Sequence, residues 1–247
     1  MINVERPEEL KALIAEIITA NISAEAWNWL NTYASTNSVS ALNIVFGIMP
    51  RKTGKAIIRI SAGQQALLQI IRPGLLVDNW TADRLCRVWV LSQFNEPDKD
   101  KYFHTIENLF SVAEMNEEVA LYSALPLLNH PEMWVNRCAQ GIRSNIGVVL
   151  EAIMYGNPYP AANLSEAAWN QMVLKAFFTE KQVDKLYGLD DRANKELARI
   201  LIDYASERHA AGREVNAMLW YLVEKFVNPE ELSSMKQGKF HRIEFSK

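Results

Sequence analysis

The chain has 247 residues, 49% of them hydrophobic, and a formal net charge of −3. Such a composition excludes a disordered chain and is long enough for one large domain or two joined ones. Basic and acidic residues are interspersed, which gives no electrostatic reason for a nucleic-acid partner. No run approaches the ~18–20 apolar residues of a membrane-spanning helix, so no direct membrane insertion is expected. Cys86 and Cys138 stand far apart without a Cys-x-x-Cys pair, as in a reducing compartment. The start, "MINVERPEELKAL", is acidic and polar, unlike a secretory leader. A cytoplasmic protein is expected.

Helical periodicity dominates in chain order. Pro7 and two glutamates open a first helix through about Ala20, and Ser23 caps a second, "AEAWNWLNTYA". A third apolar run, "VSALNIVFGIM", is expected to stop at Pro50. The next stretch, "RKTGKAIIRISAG", is ambiguous and reads as an extended connector. Thr81 opens "ADRLCRVWVLSQF", with Leu85, Val88, Trp89 and Ser92 at helical spacing. Pro97 restarts a helix through about Val112, and Asn116 another through Leu128. Pro126 and Pro131 then bracket a short turn with Arg137 six residues on, similar to a HEAT-type helix pair. "GIRSNIGVVLEAIM" reads as one helix, and "YGNPYPAANLS" as an extended loop before a helix capped by Ser165. After "YGLDD" a long helix is expected from about Arg192 to Ala211, stopped by Gly212, then a last one in "VNAMLWYLVEKFV". From Pro229 the basic tail with Lys236, Lys239, Arg242 and Lys247 reads as a loosely held terminus. The expected fold is all-α, an irregular α-α superhelix or HEAT-like array. Residues 1–115 form an N-terminal helical region, 116–228 a helical core packed with it, and 229–247 a basic tail.

Three helices carry polar groups where apolar ones are expected. In "AAWNQMVLKAFF", Trp169, Met172, Val173, Ala176 and Phe177 share a face, with Leu174 and Phe178 further round the same side and Asn170 inside that sector. In "GIRSNIGVVLEAIM", Ile142, Ile146, Val149, Leu150 and Ile153 make the buried face. Arg143 projects between Leu150 and Met154, with Asn145 at the opposite edge. Arg208 continues the stripe of Leu197, Ile200, Leu201 and Tyr204. Buried amides and guanidinium groups require partners, and Glu132, Asp190, Asp191 and Glu207 are available. Two readings stay open: an ion-pair and amide network that sets helix crossings, or a polar cavity that holds a ligand.

The usual catalytic signatures are absent. Gly54-Lys55 lacks the spacing and the Ser or Thr of a phosphate loop. Asp190-Asp191 has Asn194 where a magnesium-binding triad needs a third carboxylate, and reads as helix cap and dipole partner. The four histidines are scattered, His130-Pro131-Glu132 lacks the cysteine half of a deaminase site, and no Gly-x-Ser-x-Gly elbow occurs. Neither metal nor cofactor is expected.

The strings "LPLLNHPE", "RCAQGIRSN", "NPYP", "AAWNQMVLKAFF", "GLDDRAN", "LARILIDYASERHAAGR" and "LW", in this order between about Asn116 and Phe226, resemble the EboA family, with a weaker "RKTGK" match near Arg51. The resemblance implies a bacterial protein from a small operon that moves secondary-metabolite precursors from the cytoplasm towards the periplasm. Its operon neighbours resemble a membrane prenyltransferase, a sugar-phosphate cyclase, an isomerase-like barrel and metal-dependent hydrolases. Two functions follow. The first is a non-catalytic binding or adaptor protein, in which Arg143, Asn145, Asn170, Lys175, Arg192 and Arg208 hold a polar or anionic metabolite, or a partner such as another Ebo protein. The alternative is an enzyme acting on a phosphorylated or prenylated metabolite, with Asp190, Asp191 or Glu207 as acid or base. Convergence of Asn170, Arg143 and Arg208 on one cleft is the expectation on which both rest.

Overall fold

The computed structural model describes residues 6–240. The basic positions Arg242 and Lys247 lie outside them. Regular structure among the described residues is helical, without a sheet, and one isolated antiparallel bridge joins Ile57 and Thr81. The chain divides between Asn163 and Leu164 into two compact units.

The first unit holds α1 (Pro7–Asn21), α2 (Ala24–Ala34), α3 (Val39–Thr53), α4 (Ala62–Ile71), α5 (Ala82–Gln93), α6 (Lys99–Val112), α7 (Met115–Ala124), α8 (Val135–Ile142), α9 (Gly147–Met154) and α10 (Tyr159–Asn163). Their starts follow from local chemistry. The Ser23, Ser38 and Ser61 hydroxyls accept backbone N–H groups of α2, α3 and α4, and Asp98 does so for α6. Leu10, Leu13, Ile14, Ile17 and Ile18 form the buried stripe of α1. By contrast α5 is buried all round, Asp83 and Arg87 included. It therefore sits at the centre of the unit and packs against α1, α2, α3 and α7.

Several expected boundaries shift, each for a physical reason. α3 does not stop at Pro50 but runs to Thr53, where Gly54 takes a positive φ of 76°. Proline lacks the N–H that would bond the Phe46 carbonyl one turn back. The buried Arg87 Nε donates to that carbonyl instead, at 2.9 Å. The connector after Gly54 is extended and fastened on both sides. Ile58 N–H donates to the Trp80 carbonyl at 2.9 Å, and Arg59 N–H to Asn21 Oδ1 at 2.7 Å. Past it lies α4, a helix the sequence reading left unassigned, opened by a reciprocal Ser61–Gln64 capping box. α7 ends at Ala124, and Leu125–Leu127 forms a 3-10 turn.

"GIRSNIGVVLEAIM" is not one helix. α8 ends at Ile142, and Ser144 Oγ accepts the Ile146 N–H at 3.1 Å, so a local side-chain bond replaces the helical ladder. Arg143 consequently lies exposed in the turn, away from the wheel position expected of it, and Ile146 is 40% exposed. Ile142, Val149, Leu150 and Ile153 are buried as expected. Gly141 permits the close packing: a Cβ there would stand 2.5 Å from the Tyr122 ring and from Ile153 Cδ1. The "NPYP" segment also departs from an extended loop, because Tyr159–Asn163 forms a helical turn. Asn157 prepares it by donating to the Tyr122 and Ala152 carbonyls and accepting the Tyr159 N–H.

The second unit holds α11 (Glu166–Phe178), α12 (Lys195–Ala210), α13 (Ala217–Val223) and α14 (Pro229–Lys236). Ser165 caps α11, and Trp169, Met172, Val173, Ala176 and Phe177 are buried as its periodicity predicts. Phe178 is the exception, 71% exposed. α12 begins at Lys195, later than expected, because its N-cap is Asn194, whose side chain accepts the Leu197 N–H at 2.8 Å. The stretch from Pro229 is helix up to Lys236, capped by Asn228, with Met235 buried. Contacts link Asn170 with Asn194, the Phe177 carbonyl with the Tyr204 hydroxyl, and Glu180 with Arg208. Start meets start and end meets end, so α11 and α12 run side by side in the same sense.

Candidate functional site

The opening anomaly of α11 has a structural answer. Asn170 is 1% exposed and forms a reciprocal amide pair with Asn194, with N···O distances of 3.1 and 2.9 Å. Asn194 also caps α12 and donates to the Arg192 carbonyl. The pair thus clamps the start of α12 onto the first half of α11. Arg192 donates to the Leu164 carbonyl at 2.9 Å and lies over the Trp169 ring at 5.2 Å. Arg208 donates to the Glu214 carbonyl at 2.9 Å and approaches Glu180 at 3.7 Å, so the carboxylate beside it lies outside the expected set. Glu132 pairs with Lys99.

Two other expected site residues, Lys175 and Glu207, do come together. They flank a groove of about 350 Å³ between α11 and α12, with Gln171 and Asp203 beside them and Leu174, Ile200 and Tyr204 along it. Asn170, Arg192 and Arg208 are not among its lining residues. Asp190 is fixed elsewhere. Lys225 and Tyr221 donate to its Oδ1, and those hydrogen bonds hold its carboxyl below the usual carboxylate range. Asp191 is exposed. Arg143 and Asn145 are exposed residues of the first unit.

The first unit contains a different polar cavity, of about 180 Å³. One wall is the segment Leu125–Pro131, from the "LPLLNHPE" string that carries the family resemblance. The lining also includes Lys11 of α1, Arg72 at the end of α4, Ser92 of α5 and Tyr159 of α10. Arg72 is 4% exposed. Three tertiary hydrogen bonds hold the wall. The Asn129 N–H donates to the Tyr102 hydroxyl at 3.2 Å, Trp134 Nε1 donates to the Asn129 carbonyl at 2.8 Å, and the Tyr159 hydroxyl to the Pro131 carbonyl at 2.5 Å. They fix His130 in the left-handed region, with φ 55°, a conformation that non-glycine residues adopt at an energetic cost.

Among the described residues the lining of this cavity carries two cations, Arg72 and Lys11, and an imidazole. Glu8 pairs with Lys11 at 2.9 Å and is largely exposed, so it only weakly offsets that charge. The hydroxyls are committed: Ser92 donates to the Trp89 carbonyl, Tyr159 to Pro131, and burial pushes the Tyr159 phenol well above its ordinary pKa. The two thiols lie elsewhere. Cys86 is buried with its pKa pushed up to about 12, and Cys138 is raised likewise by desolvation, so neither presents a thiolate at neutral pH. Sequence reading missed Lys11 and Arg72 because Lys11 looks like the solvated edge of an amphipathic helix. Arg72 carried a signal, since it ends the apolar run "ALLQII" just before Pro73-Gly74.

An all-α protein with a polar cavity lined by two cations in one unit and an amide-clamped helix pair in the other is the class these features define. The sequence model of the EboA family, described as metabolite traffic protein EboA, matches residues 10–224. The chain belongs to that family. The match takes in the N-terminal hundred residues as well as the strings from Asn116 onward. No curated protein and no solved structure matches the chain. No helix among the described residues is long and apolar enough to cross a membrane.

Proposed function

We propose that this chain is a non-catalytic, cytoplasmic binding component of metabolite traffic, and that it holds the anionic part of a small metabolite in the cavity of the first unit. One observation carries this reading: Arg72, Lys11 and His130 line the same polar space. Such a lining favours an anion, and guanidinium offers a planar donor fork suited to phosphate or carboxylate. About 180 Å³ is room for roughly six waters at ~30 Å³ each, which matches an anionic head group better than a whole drug-sized ligand. Binding is favoured over turnover because the Ser92 and Tyr159 hydroxyls are tied to backbone carbonyls. Asp190, the first candidate base, is held ionised by Lys225 and Tyr221 and is correspondingly a weak base.

The test is retention of small molecules. Purified protein is incubated with extract from cells that carry the operon, washed, and analysed by mass spectrometry alongside titrations with inorganic phosphate. An anionic compound retained unchanged by the parent, and held ~10-fold or more weakly by Lys11→Met and Arg72→Gln, is the expected result. Lys11 is partly exposed, so its variant separates loss of binding from loss of folding. Equal retention by Lys11→Met and the parent refutes the assignment.

A further inference from the structure

Charge is spread unevenly along the first unit. Between Ala26 and Val77 no Asp or Glu occurs, while Arg51, Lys52, Lys55, Arg59 and Arg72 do, in a chain whose net charge is −3. Arg72 is buried, and the other four are exposed. Among the described residues no carboxylate pairs with any of those four. Lys52 stands over the Trp29 ring at 5.8 Å, a contact that leaves its charge unneutralised.

Local geometry turns part of this run outward. In the extended connector, the Ile58 N–H donates to the Trp80 carbonyl and the Ala82 N–H to the Ala56 carbonyl, both at 2.9 Å. Asn21 grips the Arg59 backbone through both atoms of its amide, at 2.7 and 2.8 Å. Alternation buries Ile58 and sets Lys55, Ile57 and Arg59 on the opposite face. All three are exposed, Ile57 by 56%, so a cation, an aliphatic group and a second cation stand in a row on a fastened backbone.

α4 follows directly and contains no charged side chain. Leu68 and Ile71 are its buried positions, and at 100° per residue Gly63, Ala66 and Ile70 fall on the opposite arc, with Leu67 at its edge. All four are exposed, Ile70 by 69% and Leu67 by 42%. The outer face of a surface helix ordinarily carries polar or charged residues. Here the glutamines stand off the arc and take two carboxylates there: Gln64 donates to Glu16 at 2.8 Å and Gln65 to Asp78 at 3.3 Å.

We infer that the connector and the outer arc of α4 form a peripheral docking surface for an anionic lipid bilayer. Lys55 and Arg59 meet the head groups, while Ile57, Leu67 and Ile70 enter the acyl boundary without spanning it. Cations clustered in a run free of carboxylates select an anionic partner. An arc of Gly, Ala, Leu and Ile offers no directional hydrogen bond; a fluid acyl boundary needs none, whereas a protein interface is fixed by many. None of these five residues lines the cavity, so the inference is independent of the ligand reading.

The experiment is flotation of the full chain with vesicles of phosphatidylcholine, alone or with about one-third phosphatidylglycerol. The parent is expected to float with the anionic vesicles only, and less at high salt. Lys55→Glu with Arg59→Glu should lower the partition constant by ~10-fold or more. Ile57→Ser with Ile70→Ser should lower it by ~5-fold or more. All four positions are exposed, and melting temperatures near the parent's verify that the variants fold. Lys11→Met, a cavity variant, should float as the parent does. A parent that ignores anionic vesicles, or flotation that survives either pair of substitutions, overturns the proposal. Loss of flotation in Lys11→Met overturns it too, because the lipid contact would then belong to the cavity. Polyglutamate bound as tightly as the vesicles, and equally by the isoleucine variant, would identify an acidic protein as the partner and refute the lipid.

Discussion

The two units bury polarity in different currencies. In the first, Arg87 is 2% exposed and bonds Asp83 Oδ2 at 2.7 Å, the Phe46 carbonyl at 2.9 Å and, more loosely, Glu117 at 3.7 Å, tying α3, α5 and α7 together. Arg72 is buried there too. In the second, Asn170 is the buried polar residue among those described, and its partner is another amide. Charge inside a low-dielectric core carries a large desolvation cost, offset only while every partner remains in place. A neutral amide pair costs less to bury and loses less when broken. Damage to the first core should therefore be steep, and damage to the second graded.

Removing Arg87 tests the steep side. Arg87→Met strands Asp83 and leaves the Phe46 carbonyl without a donor, and urea denaturation should show a loss of about 3–5 kcal/mol. Adding Pro50→Ala supplies a backbone N–H to that carbonyl. In a double-mutant cycle the pair should recover about 1 kcal/mol of the loss. Additivity of the two changes would show that Arg87 does not stand in for the missing proline donor.

Asn170→Ala probes the graded side. It leaves the Asn194 amide one partner short while the α12 cap persists, so the expected loss is about 1–3 kcal/mol. A loss as large as that of Arg87→Met would abolish the contrast between the units. The smallest effect concerns surface charge. The carboxyl of Asp190 is held below its ordinary range first by Lys225 and then by Tyr221. Its contribution is present above the unfolded carboxylate pKa and is lost as pH falls through the depressed folded value. Lys225→Met should move the Asp190 titration midpoint upward by NMR, with little change in melting temperature at neutral pH.

How far these features could be read beforehand depended on whether their cause is local. Ser23 and Ser165 cap the helices predicted for them, because an N-cap involves only the next three residues. Asn170 was recognisable as a buried anomaly from its place among Trp169, Val173 and Phe177. Its partner was not, because Asn194 arrives from 24 positions away. Arg143 misled for the opposite reason: the wheel assumed a continuous helix, and a single Ser144 hydroxyl bond ended it. Arg87 passed unnoticed in "RLCRVWVL", where an arginine looks like the solvent side of an amphipathic helix. Only the burial of α5 on every side makes it a core residue. The cavity was hidden likewise, since Lys11, Arg72, Ser92 and Asn129 come from four separate segments.

By itself the order of residues determined the helical class, the Ser23 and Ser165 caps and the apolar face of α11, because these follow from torsional preference and solvent aversion over a few neighbouring positions. Kinship with EboA was also written there, as ordered strings. Tertiary structure alone decided that α3 continues past Pro50, that two asparagines find one another, and that Lys11 and Arg72 line one polar cavity. Such outcomes depend on distances between groups remote in sequence, and Coulomb and hydrogen-bond energies take their value only once those distances are set.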